Sequence, residues 1–460
     1  MVGPLSILLP FWLGLSVGFL LYKFFLNNEE PKNLPLGSMG WPLVGETLHF
    51  LEPHRSNTMG KFLQDRCSRY GRVFKSHLFG SPTIVSCDLE LNMFILQNEE
   101  KLFQGSYPKP IHGVLGKLSM LVVVRELHKK LRSVALSFFT TCKTNPNFIT
   151  DMDGMLKSMM ESWKDCKEFT FNLMVKQFFS MGPKEPLVSQ LLEDYMHFMK
   201  GLVSLPIYIP GTYFAKAVKA RMRICTTIRE IIKGRREGNN DVGQTKGDFL
   251  DVILSNVNLS DEERVSIVLD LLLGGYETTS TLMSLLVYFL AHSHHALEQL
   301  KDEHQAIRKR KHDGEALSWE DYKEMHFTIN VIHEALRCGN VVKFVHRKAL
   351  KDIEFKGFLI PAGWKVLPIL LGAHLDPKHH ENPSEFNPWR WNDQTTIKKV
   401  SPFAGGLRQC PGSELGKLEA AFFLHHLVLN YRWKIIGDDH PMCLPYIKFK
   451  GGLRLEIEQI

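Results

Sequence analysis

The run from Asp261 to about Leu300 constrains the fold more than any other part of this chain. Ser260 followed by Glu263 has the form of a capping box, in which serine and glutamate satisfy each other's backbone N–H groups. No proline follows for forty residues, so the segment can continue as one helix far beyond the usual dozen residues. Around its centre, Ile267, Val268, Leu269 and Leu271 to Leu273 are apolar on nearly every face. A helix of that kind belongs inside a helical core. Asp270 alone interrupts the apolar run and needs a partner or a wet edge. Next comes Gly274-Gly275-Tyr276-Glu277-Thr278-Thr279-Ser280. Two glycines cost roughly 2 kcal/mol in a helix interior, and threonine hydroxyls compete for its carbonyls. A buried helix that weakens itself beside a carboxylate and hydroxyls predicts a functional distortion.

The rest of the pattern predicts a mainly α fold with small β-sheets. Residues 150–236 read as helices, broken at Met181-Gly182-Pro183 and from Pro206 to Gly211, and the polar run Gly234 to Gly247 reads as a loop. Residues 72–87 read as a hairpin turning at Gly80-Ser81-Pro82. A helix beginning near Glu126 carries a basic face, on which His128 and Arg132 lie four apart. Strands are expected within 350–370 and in the tail, where Gly451-Gly452 makes a turn. With 460 residues, 44% of them hydrophobic, the chain can build one large catalytic domain, residues 49–460. Its eight cysteines form no CxxC pair, which argues against zinc and a disulfide scaffold and for a reducing compartment. A net charge of +7 does not point to nucleic acid as a partner.

Residues 1–26 predict an N-terminal membrane anchor. Pro4 to Tyr22 is uncharged and about the minimum length for one crossing. Lys23 and Lys32 follow, which places the body in the cytosol. A cleaved signal peptide fits less well, because a basic n-region and a small-residue cleavage site are missing. Residues 27–48 form a proline- and glycine-rich hinge, whose Leu34, Trp41, Leu43 and Val44 are expected to pack on the fold.

One cysteine stands out. Cys410 lies in Phe403-Ala404-Gly405-Gly406-Leu407-Arg408-Gln409-Cys410-Pro411-Gly412, directly before a helical run reaching about Leu429. A helix N-terminus, free backbone N–H groups and Arg408 could all support a thiolate. That suits a nucleophile or a metal ligand equally. A nucleophile would want a histidine base and zinc would want further Cys or His ligands. Glu334 and Arg337, three apart, form a helical ion pair of no special meaning alone. Arg390, in Phe386-Asn387-Pro388-Trp389-Arg390, could extend that pair into a network.

The order of these four stretches carries more than any of them singly. Gly274-Gly275-Tyr276-Glu277-Thr278-Thr279, then Glu334 and Arg337, then Phe386 to Arg390, then Phe403 to Gly412 resemble the haem-thiolate monooxygenases of the cytochrome P-450 superfamily. The resemblance spans essentially the whole chain. It implies the cytochrome P-450 fold with haem b as cofactor and Cys410 as axial iron ligand, whose thiolate favours O–O cleavage. It implies that Gly274 and Gly275 lie against the haem, and that Thr278 and Glu277 deliver protons. It implies that His128, Arg132, Arg347 and Arg408 pair with the haem propionates, that Phe403 belongs to the haem-binding loop, and that Glu334, Arg337 and Arg390 form a buried structural network.

The implied partners are O2, electrons from NADPH through a flavoprotein reductase, membrane lipid and a sterol. The implied location is the endoplasmic reticulum membrane, spanned once, with the catalytic domain cytosolic. Lys129, Lys130 and Lys417 would offer that reductase a basic surface. Within the superfamily, Phe74 to Gly80, Tyr107 to Gly113, Glu334 to Asn340 and Phe422 to Trp433 look like plant enzymes that hydroxylate the steroid side chain at C-22, in brassinosteroid or related biosynthesis. Oxidation of another steroid position or of a terpenoid hormone precursor is the rival reading. A poorly active haem- or lipid-binding homologue is a further one. Arg125 stands where these enzymes more often carry glycine, and Leu407 where proline is frequent.

Overall fold

The computed structural model describes residues 32–460 except 42–43, 162–165, 203, 239–245 and 445, together with positions 14, 16 and 18. Apart from those three positions, the predicted anchor, Pro4 to Tyr22, lies outside the described residues. Among those described, no helix is long and apolar enough to cross a membrane.

The long helix runs unbroken from Asp261 to Ala291, and Ser260 and Glu263 form the expected capping box. It ends about ten residues earlier than its pattern suggests. His292 and Ser293 bond back three residues, to Phe289 and Leu290, tightening the last turn. The chain then restarts as the helix His294–Lys309. The long helix is the shared spine of two apolar clusters. Its first half, Val265 to Tyr276, packs with side chains from Arg125–Thr144, Cys166–Phe179, Pro186–Leu202 and Tyr213–Arg236. Its second half, Leu282 to Leu290, packs with His294–Lys309, His326–Gly339 and Ser413–Asn430.

Small sheets lie at the periphery of this helical body. The largest has five strands in the order Val73–Leu78, Ser81–Ser86, Lys365–Pro368, Arg347–Ala349, Phe103–Gly105. The predicted hairpin is present, but Ser81 pairs with Leu78, so the turn is Phe79-Gly80. Both residues have positive φ, 52° and 74°, as the tight turn that matches strand twist demands. The helical stretch 150–236 also breaks where expected, with helices ending at Phe179 and Leu202 and resuming at Pro186 and Tyr213.

The hinge meets the fold through its backbone. Lys75 donates its N–H to the Leu36 carbonyl at 3.0 Å, and Leu359 donates to Asn33 at 2.8 Å. The side-chain expectation needs correction. Trp41 is 80% exposed and Val44 is exposed too, Leu34 is half-buried, and Leu43 lies outside the described residues. Hydrogen bonding along the sheet edge, rather than apolar burial, ties this segment down.

Arg125 opens its helix with φ at +56°. A side chain there costs about 1–2 kcal/mol, which glycine avoids. Arg125→Gly is therefore expected to stabilise the protein by about 1 kcal/mol, raising the thermal midpoint by about 1 °C. Calorimetry of the two proteins checks this.

Candidate active site

Cys410 lies two residues after a short helical turn, Gly406–Arg408, and three before the start of the helix Ser413–Asn430. Its N–H donates to the Phe403 carbonyl at 3.0 Å, closing the loop. Phe403 is half-buried against the apolar cluster formed around the second half of the long helix. Gly406 has φ at +64°, and a Cβ there would stand 1.9 Å from the Leu96 carbonyl oxygen. Only glycine fits, so the loop's path is set by its backbone. Cys410 is largely surrounded by protein, yet its side chain keeps accessible surface. Burial raises its thiol pKa, while the Gly412 N–H and the Arg132 guanidinium oppose that rise. The six other described cysteines are half-buried or buried.

The long helix offers a matching open face. Gly274 and Thr278, four residues apart, are accessible within a helix otherwise mostly buried. A Cβ added to Gly274 would meet nothing within 4 Å, whereas one on Gly275 would collide with Met174. The expected distortion is not a break in the helix. It takes the form of side chains bonding its carbonyls. Thr278 donates to Gly274, Thr281 to Glu277 at 2.7 Å, and Thr170 of the neighbouring helix to Tyr276 at 3.0 Å. Glu277 points to a different neighbour. Lys167 Nζ donates to its two oxygens at 2.8 and 3.0 Å, and Lys167 is partly exposed.

The basic residues predicted to hold a cofactor do converge. His128 is buried, and its pKa is lowered to about 4 by that burial and by the charges of Arg408, Arg132 and Arg347. One buried carboxylate, Glu99, joins two of the guanidiniums, lying 2.7 Å from Arg408 Nε and 2.6 Å from Arg347 Nε. Arg132 donates to the Gln409 carbonyl beside the cysteine. Three guanidiniums therefore converge on His128, and Glu99 pairs with only two of them. That excess of positive charge fits a group with two carboxylates of its own, as haem has. An accessible thiol, a glycine-opened helix face and this cationic cluster make the donor set fit haem.

The structural network closes fully. Glu334 and Arg337 are both fully buried and 2.7 Å apart, and Arg390 Nε reaches Glu334 at 2.9 Å. Asn387 N–H and Trp391 Nε1–H also donate to Glu334, at 2.9 and 3.0 Å. Arg337 donates to the carbonyls of His374, Pro383 and Glu385. Burial works to raise the Glu334 carboxyl, but bonds and charge from Arg337, with Arg390 and the Asn387 N–H, hold it below its ordinary pKa.

Three contacts were not legible beforehand: Glu99 between two arginines, Lys167 on Glu277, and Met120 N–H on Asp270 at 2.6 Å. The last supplies the partner that Asp270 required. Burial raises the Asp270 carboxyl to about 7, opposed by the Met120 N–H, Ser119 and Arg221. The expected basic docking surface is weaker than its sequence implies. Lys129 pairs with Glu126, Lys130 with Glu263 and Lys417 with Glu414, at 2.7 to 2.8 Å.

Comparison with known proteins identifies the family. Residues 35–449 match the cytochrome P450 family model. Cytochrome P450 724B1 of Oryza sativa subsp. japonica is 56% identical over 100% of this chain and 98% of that protein. Cholesterol 22-monohydroxylase CYP90B52 of Paris polyphylla is 43% identical over 96% of this chain and 97% of the relative. Among solved structures, retinoic acid-bound cyanobacterial CYP120A1 superposes with a TM-score of 0.82 at 27% identity, covering 94% of this chain and all of that one. With residues 35–449 matched to that model and relatives above 40% identical along nearly the whole chain, the chain belongs to the cytochrome P450 family.

Proposed function

We propose that this protein hydroxylates the side chain of a plant sterol of the campesterol or cholesterol type at C-22. The observation that carries the reading is full-length similarity to a cholesterol 22-monohydroxylase on a chain whose haem-thiolate site is intact. When bound, haem b supplies oxidation by O2, with two electrons from NADPH delivered through a flavoprotein reductase.

The chain's own residues then have distinct tasks. Cys410 would hold the iron as a thiolate, an electron-rich ligand that favours O–O cleavage. Arg132, Arg347 and Arg408 would neutralise the two propionates, with His128 buried beside them. Thr278 presents a hydroxyl on the accessible helix face. Glu277, one position before it and paired to partly exposed Lys167, would take protons from solvent and pass them toward that hydroxyl. Leu121, in the segment after Tyr107 to Gly113, leaves an apolar side chain accessible to a sterol. Glu277→Gln is expected to lower kcat by about 10²-fold, with KM changed less than about threefold. Steady-state kinetics on the sterol decides this.

The body is proposed to sit on the cytosolic face of the endoplasmic reticulum, anchored by Pro4 to Tyr22. Exposed Trp41, Leu48, Leu205, Ile207, Tyr208 and Ile209 support contact with lipid. Carbonate extraction of microsomes should leave the protein in the membrane pellet, and recovery in the supernatant would refute the anchor. The substrate is tested by expressing the chain with a plant reductase and feeding campesterol and cholesterol. A side-chain alcohol at C-22 is expected. Oxidation elsewhere on the steroid, or of a terpenoid instead, would refute the assignment.

A further inference from the structure

One loop, Leu115–Val123, is held from both sides by charged side chains. Arg221, on the helix Tyr213–Arg236, donates to the Leu115 carbonyl at 2.9 Å. Its guanidinium lies so close to Gly116 that a Cβ there would stand 2.1 Å from Nη2. Asp270 accepts the Met120 N–H at 2.6 Å. Arg408 donates to the Met120 carbonyl at 3.1 Å and to the Val123 carbonyl at 2.6 Å. Met120 is therefore gripped through its N–H by the long helix and through its carbonyl by the cysteine loop.

Asp270 stands four residues before Gly274 and eight before Thr278, on the same side of the helix. Its second oxygen is buried with no hydrogen-bond partner. Ser119, Arg221, Tyr195 and Cys225 face the same carboxylate from the loop and two neighbouring helices. A buried carboxylate is costly unless it does something that leucine cannot. Leucine could not accept the Met120 N–H.

We propose that Asp270 is a positioning residue: by fixing Met120 it sets the Leu115–Val123 loop in register with both the Gly274–Thr278 face and Arg408, and so determines which side-chain carbon of the sterol is oxidised. The last clause rests on the sterol reading given above. The loop clamp itself does not.

The test uses the full chain, with Asp270→Ala and Asp270→Asn. Hydrogen exchange of the peptides covering 115–123 reports the clamp, and product analysis reports positioning. Asp270→Ala is expected to speed exchange in that loop by about tenfold, the equivalent of one lost hydrogen bond. It is expected to raise KM more than it lowers kcat, and to spread hydroxylation onto neighbouring carbons. Asp270→Asn is expected to restore both, because its amide oxygen accepts the same N–H. Wild-type exchange and product ratio in Asp270→Ala would overturn the proposal, as would an Asn variant that behaves like Ala. Should the alanine variant fail to fold, Asp270→Glu displaces the contact while keeping the charge. An unchanged product ratio in that variant would also overturn it. If the wild type oxidises no sterol, the sterol reading fails, while the exchange measurement still decides the clamp.

Discussion

Cys410→Ala is expected to abolish turnover and to remove the reduced carbon-monoxide absorption band that marks a thiolate-ligated haem. Among the described cysteines, Cys410 alone is exposed and lies beside the cationic cluster. The loop is closed by the Cys410 N–H on Phe403, a backbone bond that alanine keeps, so it should persist. Cys338 provides the control. It is fully buried, its thiol held above the ordinary range by burial, and it packs in the second apolar cluster. Cys338→Ala should keep the band and lose only stability. Spectra of the two reduced variants under carbon monoxide distinguish ligand from core cysteine.

Arg337→Ala is expected to cost about 3–5 kcal/mol, the usual result of leaving a buried charge without its partner. Glu334 would keep Arg390 but lose the two-pronged guanidinium that offsets its burial. The carbonyls of His374, Pro383 and Glu385 would lose a donor as well. Arg337→Lys should rescue little, because an ammonium cannot bond Glu334 through two nitrogens and reach three carbonyls. By contrast, breaking the exposed Glu320–Lys323 pair should cost under about 0.5 kcal/mol. Thermal unfolding and the yield of haem-loaded protein measure the difference.

Local signals were the legible part of this fold and site. The Ser260–Glu263 box and the apolar run after it placed the start of the long helix correctly, because both act within a few residues. Cys410, Gly406 and Arg408 could be read together because a tight loop fixes them covalently. Glu334 and Arg337 share one helix, so their pairing followed from spacing. Contacts that cross the chain left no such trace. Glu99 and Arg408 are 309 residues apart, and Asn98-Glu99-Glu100 reads as an ordinary polar loop. Lys167 meets Glu277 from a different helix, and nothing in either stretch names the other. The hinge misled for a related reason. Apolar residues near proline suggest burial, but here the backbone makes the attachment and Trp41 faces outward. The basic surface misled because each lysine's carboxylate neighbour, three residues away or on another helix, offsets its charge.

The central claim is that this chain inserts oxygen from O2 into a sterol side chain through haem held by Cys410. It is tested most directly by turnover of the full chain with a plant reductase, NADPH, campesterol and isotopically heavy O2. The expected product carries a heavy hydroxyl oxygen at C-22, and none forms with Cys410→Ala. A product whose new oxygen comes from water, a heavy oxygen placed on the rings, or a C-22 alcohol still formed by Cys410→Ala would contradict the account.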